Sequence, residues 1–159
     1  MKFARALGAE VTVLTTSAGK AEDARALGAE RALVSTDASA LERAAGTLDL
    51  IIDTVPREHD LAPYLRCLDL DGTLCVVGYL GPVSLEVLGL LIGRKRLTSA
   101  GSGGHRHTQE MLDFCGEHDL TADVEVLPSA QHAIALDRLS RNDVRYRFVL
   151  DLADLTQKS

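Results

Sequence analysis

One heptapeptide occurs twice, 20 residues apart: Ala4-Arg5-Ala6-Leu7-Gly8-Ala9-Glu10 and Ala24-Arg25-Ala26-Leu27-Gly28-Ala29-Glu30. Each copy reads as the end of a helix, a glycine in the left-handed conformation that closes it, and a turn into the next segment. The first copy leads into Val11-Thr12-Val13-Leu14, a β-branched run and hence a strand. The second leads into a weaker strand, Arg31 to Val34. A solenoid needs three or more repeats, so two copies mean two successive αβ units of a parallel sheet. The alternation continues along the chain. Leu41 to Ala45, His59 to Leu68, Ser84 to Gly93, Thr108 to His118 and Ala130 to Leu139 read as helices. Leu48 to Asp53, Thr73 to Val77, Arg96 to Ala100, Val124 to Leu127 and Tyr146 to Leu150 read as strands. Asp71-Gly72 reads as a turn. Leu48 to Asp53 is apolar on consecutive positions, as in a strand covered on both faces. Short loops between alternating strands and helices imply a doubly wound α/β fold.

Such a fold ordinarily opens with a strand, a glycine loop and a helix, the loop admitting a pyrophosphate to the helix N-terminus. The sequence holds no G-x-G-x-x-G, and its first residues read as the inside of a helix. In the order 3-2-1-4-5-6 the first strand is central. Without it two half-sheets are expected, each with an unpaired inner edge. The chain therefore reads as the C-terminal part of a longer protein.

Composition narrows the function classes. Among 159 residues, 17 are basic and 23 acidic, a net charge of −6 that argues against a nucleic-acid binder. Aromatics make up 4% with no Trp, too few for a base-stacking platform. No apolar run reaches membrane-spanning length, and no signal-type apolar stretch follows Met1. The cysteines Cys67, Cys75 and Cys115 are too widely spaced for a disulfide framework or a zinc knuckle. A cytoplasmic protein without nucleic-acid or membrane partners is expected.

Five stretches carry a resemblance: K-F-A-R-A-L-G-A-E-V-T-V-L-T-T-S-A-G-K-A-E-D-A, then L-D-L-I-I-D-T-V, D-G-T-L-C-V-V-G, T-Q-E-M-L-D-F-C and N-D-V-R-Y-R-F-V-L-D. In this order they resemble the zinc-dependent medium-chain alcohol dehydrogenases, in particular the NADP-dependent cinnamyl-alcohol-dehydrogenase-like branch. The resemblance implies a Rossmann-like cofactor domain over residues 1–122, lacking its first strand and glycine loop. Residues 123–159 would be the segment that in the family rejoins the catalytic domain. The family's zinc ligands and four-cysteine loop have no counterpart here, so neither a catalytic residue nor a metal ligand is expected on this chain.

The loop Thr15-Thr16-Ser17-Ala18-Gly19-Lys20 offers hydroxyls, one ammonium and no carboxylate. NAD-type domains place an Asp or Glu here on the ribose 2′-hydroxyl. A Lys with hydroxyl donors suits a 2′-phosphate instead, and the resemblance assigns that role to Thr15, Thr16, Ser17 and Lys20. A plain helix cap at Ser17 is compatible with it. The resemblance further implies cofactor contacts from Thr54 and Val55, at the end of a strand where Asp53 otherwise merely begins a turn. It gives Gly78 a close approach to the nicotinamide half, against a simple turn glycine. Gly101 and Ser102 lie in a glycine-rich loop that lacks a P-loop lysine. Ala100 and Ser102 depart there from the family's Ser and Ile. Arg145 and Arg147 flank Tyr146, and the resemblance aims Arg147 at the pyrophosphate, against a surface ion pair. His105 and His107 read as exposed, His59 and His132 as isolated, and His118 as a helix-end residue. Arg94-Lys95-Arg96 reads as a solvated basic run at a helix end.

The resemblance implies the NADP-binding part of an alcohol dehydrogenase or aldehyde reductase, not competent alone, and the exposed sheet edge leads to the expectation of a homo-oligomer. The alternatives are a non-catalytic doubly wound interaction module, or a truncated remnant without independent function.

Overall fold

A computed structural model of the chain describes residues 1–141, 143–144 and 146–155. Helix α1 (Lys2–Ala6) leads to strand β1 (Thr12–Thr15), and α2 (Ala18–Ala26) to β2 (Arg31–Val34). The repeated heptapeptide forms the same cap twice. Gly8, at φ +83°, donates to Arg5 O while Ala9 donates to Ala4 O. Gly28, at φ +95°, donates to Arg25 O while Ala29 donates to Ala24 O. Both are Schellman closures, which need the left-handed conformation that glycine adopts without a Cβ penalty. The repeat's glutamates then cross-link the two units. Glu10 pairs with Arg31 at 3.3 Å, and Glu30 accepts from Val11 N at 2.7 Å and lies 3.9 Å from Arg5.

Beyond them come α3 (Ala38–Arg43), β3 (Leu48–Asp53), α4 (Ala62–Cys67), β4 (Leu68–Val76), α5 (Leu88–Leu91), β5 (Arg96–Ser99) and α6 (His105–Glu117). β1 pairs with β2, and separately β3, β4 and β5 form one sheet in that order, all pairings parallel. Two separate half-sheets, as expected from the order of the elements, are therefore present. β1 and β3 each keep one edge unpaired among the described residues.

An all-alanine layer of Ala21, Ala24, Ala29 and Ala32 lets α2 lie close on β1 and β2. The larger core gathers Ile51, Leu61, Leu65, Cys67, Leu68 and Leu74 between α4 and the β3–β4 pair, with Leu14 and Leu33 packed on it from the other half-sheet. Each fully buried leucine contributes about 1.5–3 kcal/mol relative to exposure. Burial also pushes the Cys67 thiol above its ordinary value, so it behaves as an inert core group.

Several boundaries differ from the sequence reading. The helix expected from His59 begins at Ala62, whose N–H is held by the Asp60 carboxylate at 2.9 Å, and it passes directly into β4 at Leu68. Asp71-Gly72 is not a turn between elements; it is an irregularity inside β4, opposite a register shift at Leu48/Leu50. The helix expected over 84–93 shrinks to Leu88–Leu91, because Leu85 turns inward against the core on non-helical backbone. β3 is covered on one face only: Ile51 is buried, but Leu50 and Ile52 are 55% and 57% exposed. The basic run is exposed at Arg94 and Arg96, as expected, but its members are paired. Lys95 Nζ donates to Leu65 O at 2.6 Å near the end of α4, and Arg94 and Arg96 both bond to Asp71.

The chain divides into two compact units, Met1–Phe114 and Cys115–Ser159. In the second, β6 (Glu125–Pro128) and β7 (Phe148–Asp151) pair in parallel, joined through a 3-10 turn (Ser129–Gln131) and α7 (His132–Ser140). Arg138 holds this unit together. It pairs with Glu125 at 2.9 Å and Asp143 at 3.1 Å and lies 4.8 Å over the Phe148 ring.

Candidate functional site

Strand carboxyl ends gather ligands in doubly wound sheets because the loops leaving them open onto a common crevice. Here the ends of β1 and β3 open onto one groove of about 270 Å³. Leu14, Thr15 and Thr16 line it from the end of β1, and Ser35 from beyond β2. Ile51 to Val55, Arg57, His59, Tyr64 and Leu74 complete the wall. β1 and β3 both stand at the edge of their sheets among the described residues.

Of the residues picked from sequence, Thr15, Thr16, Thr54 and Val55 are brought together on this groove. Ser17 serves as N-cap of α2, its Oγ accepting from Lys20 N at 3.4 Å, while its own N–H reaches Thr15 Oγ1 at 3.4 Å. The plain capping role is thus real, and it fixes the loop that carries both threonines. Lys20 stands exposed in the first turn of α2, and no carboxylate occurs between Thr15 and Lys20.

Gly78 follows β4, and its N–H donates to Asp53 O at 3.1 Å. A Cβ at this position would run into the Val55 carbonyl and the Thr54 backbone. The close approach that demands glycine is therefore internal, between two backbone segments at the groove's edge. Gly101 and Ser102 lie in the exposed loop joining β5 to α6 and are not among the groove's lining residues. Arg147 belongs to the second unit and precedes β7 instead of lying within it; its carbonyl accepts from Glu125 N at 2.9 Å. Arg145 lies outside the described residues.

The sequence reading missed the chemistry at Asp53 and His59. Asp53 is only 8% exposed. Its Oδ1 accepts from Val55 N at 2.9 Å, forming the turn anticipated for it. Its Oδ2 is buried without a well-aligned hydrogen bond, although His59 Nε2 stands 3.0 Å away. Thr12 Oγ1 on β1 is likewise buried without a partner. The available signal for His59 was its place in the loop leaving a strand's carboxyl end. Ser35, the first residue beyond β2, carried the same signal, whereas Tyr64 carried none, since only the packing of α4 brings it to the groove.

Among the described residues, no three His, Cys, Asp or Glu side chains gather as a group able to hold a metal. No described helix is long and apolar enough to cross a membrane.

Residues 1–117 match the family model described as zinc-binding dehydrogenase. Over 155 residues the chain is 46% identical to an alcohol dehydrogenase 9 of Catharanthus roseus, covering 96% of this chain and 43% of that protein. A mannitol dehydrogenase of Petroselinum crispum is 47% identical, with 97% and 46% covered. Among solved structures, a cinnamyl alcohol dehydrogenase from Sorghum bicolor superposes with a TM-score of 0.92 at 44% identity, over 99% of this chain and 45% of that one. A Helicobacter pylori enzyme of the same type, complexed with NADP(H), gives 0.79 at 30% identity, over 95% and 43%. The chain thus spans less than half the length of these relatives. With its two half-sheets, strand-end groove and sequence agreeing, the chain belongs to the zinc-binding dehydrogenase family.

Proposed function

We propose that this chain is the NADP-binding part of an alcohol dehydrogenase or aldehyde reductase. Residues 1–122 would form the dinucleotide-binding portion and 123–159 a segment that rejoins a catalytic domain. The convergence of Thr15, Thr16, Thr54 and Val55 on one groove at the strand ends carries this reading. A Helicobacter pylori relative complexed with NADP(H) supports it. Bound NADPH supplies a hydride for reduction of a carbonyl. The chain's own residues bind and orient it: the Thr15 and Thr16 hydroxyls and the Lys20 ammonium bind the 2′-phosphate, with Ser17 holding their loop. Thr54 and Val55 form the opposite wall. Arg147, Gly101 and Ser102 remain candidates for the pyrophosphate and nicotinamide half. No ligand set for the family's zinc is found among the described residues.

The test is a titration of NADPH and NADH, into the chain and into a version extended at its N-terminus by a strand and glycine loop. NADPH binds more tightly, and Lys20→Ala removes most of that preference while sparing NADH. One charged hydrogen bond is worth on the order of tenfold to a hundredfold in affinity. Thr15→Asp shifts the preference toward NADH. Equal affinities before mutation, or equal losses after Lys20→Ala, sink the assignment.

The unpaired edges of β1 and β3 support a further part of the reading, self-association through a sheet edge.

A further inference from the structure

The loop from Thr54 to Glu58 crosses the end of β3 and forms one wall of the groove. Two contacts of a single imidazole fasten it. His59 Nδ1 lies 2.9 Å from Arg57 O, and His59 Nε2 lies 3.0 Å from Asp53 Oδ2. The ring is also held edge-on against Tyr64, with centroids 5.8 Å apart. A backbone carbonyl and an ionised carboxylate only accept hydrogen bonds, whereas a neutral imidazole carries one N–H. Either neutral tautomer therefore sets a ring lone pair against an oxygen at about 3 Å. Only the imidazolium sets positive charge against both oxygens; Nε2 is not aligned as a hydrogen-bond donor to Oδ2, so that contact is an ion pair, and it neutralises a carboxylate that is nine-tenths buried. Asp53 in turn holds Val55 N–H through its other oxygen, so the contact reaches the groove wall itself.

We infer that His59, as the imidazolium, is a positioning residue: a latch that fixes the Thr54–Glu58 wall, so that nucleotide affinity at the groove rises when His59 is protonated. The groups facing it are Asp53 from β3 and Tyr64 from α4. On its own loop stand Arg57, Glu58 and Asp60, of which Asp60 is committed to Ala62 N. The affinity half rests on the groove being the nucleotide site; the latch itself does not.

Two readouts separate these halves. The first is hydrogen exchange of the 54–58 segment in the whole chain, corrected for intrinsic rates, at about pH 6 and about pH 8. Protection is about twofold to fivefold greater at the lower pH, the worth of one ion pair. In His59→Phe, which keeps a ring against Tyr64, it is low and flat. Asp53→Asn, which keeps a side-chain acceptor for Val55 but loses the charge, also flattens it and decides the matter if His59→Phe is unfolded. Equal wild-type protection at both pH values overturns the latch, as does pH dependence surviving in a folded variant. The second readout is the ratio of NADP+ affinities at the same two pH values, wild type against His59→Phe, which cancels titration of the nucleotide's own phosphate. A larger ratio in the wild type supports the link to binding, and equal ratios overturn it. Pronounced pH-dependent protection with no nucleotide affinity refutes the cofactor reading and leaves the latch standing.

Discussion

Asp71 and Arg94 both hold left-handed backbone, at φ +60° and +52°, where side chains other than glycine are uncommon. They hold it together. The Asp71 N–H donates to Gly93 O at 2.7 Å, and the two side chains form a double hydrogen bond across from β4 to the start of β5. The Arg94 guanidinium keeps the Asp71 carboxyl below the usual carboxylate range. A depressed folded-state value means that stability is fully present above the unfolded carboxylate range and is lost as pH falls through the folded value. Glu30, held by Val11 N–H, and Asp37, held by Ser39, are depressed in the same direction. Urea midpoints should therefore fall on acidification from about pH 5 to about pH 3. Asp71→Asn should lower the neutral-pH midpoint and make the acid slope shallower. An unchanged slope would mean that this pair contributes nothing measurable, as many exposed pairs do. Gly78→Ala belongs at this scale too. The added methyl meets the Val55 carbonyl and must displace the groove wall. Overpacking of this kind costs about 1–3 kcal/mol, and Gly78→Ala should cost stability and nucleotide affinity together. Thermal melts and NADPH titrations of the same preparation check both.

Among the elements, the two copies of the heptapeptide provide an internal control. Gly8 and Gly28 close α1 and α2 with the same pair of bonds, but their surroundings differ. Nothing lies within 4 Å of where a Cβ on Gly8 would sit, whereas a Cβ on Gly28 would meet the Arg5 guanidinium that reaches toward Glu30. Gly8→Ala should cost only the left-handed backbone penalty of about 1–2 kcal/mol. Gly28→Ala should cost more, because it also displaces Arg5. Urea unfolding of the two single variants measures the difference, and identical losses would show that Arg5 moves aside freely. The strands show why one loop matters more than another for the groove. β1 ends in Thr15 and β3 in Asp53, and the loops leaving both ends face the same space. The loop after β5 contains Gly101 and Ser102 but takes no part in that wall.

For the whole molecule, the consequence of two half-sheets is exposed pairing capacity. β1 and β3 present unpaired edges among the described residues, and Leu50, Ile52 and Leu70 lie more than half exposed on the sheet they share. Unprotected strand edges of this kind template association. Sedimentation velocity across a range of concentrations should show association that grows with concentration. A sharp monomer boundary together with a cooperative melt would show that the edges are closed in solution. A strand added between the two half-sheets in an N-terminally extended version should reduce the association. The same extension should raise nucleotide affinity, because a glycine loop brings backbone N–H groups to the pyrophosphate.

Local signals determined the repeating part of this protein. Two identical helix ends, the β-branched run after the first and the hydroxyl-rich loop up to Lys20 are consequences of neighbouring residues, since caps and turns are made within a few positions. The doubly wound class and the two half-sheets came from element order and an absent motif, both properties of the linear chain. The tertiary structure decided what depends on approach between distant segments. It turned Asp71-Gly72 from a turn into an irregularity within β4, because Arg94, 23 residues on, holds Asp71 in the left-handed conformation. It made Gly78 necessary through the Val55 carbonyl. It left one face of β3 open although the strand's composition suits burial on both, because exposure depends on what packs there and not on the strand itself. It also joined Asp53 to His59 at the groove's edge, where the sequence offered only a turn carboxylate and an isolated histidine, since the path of a loop through space is set by the packing at both of its ends.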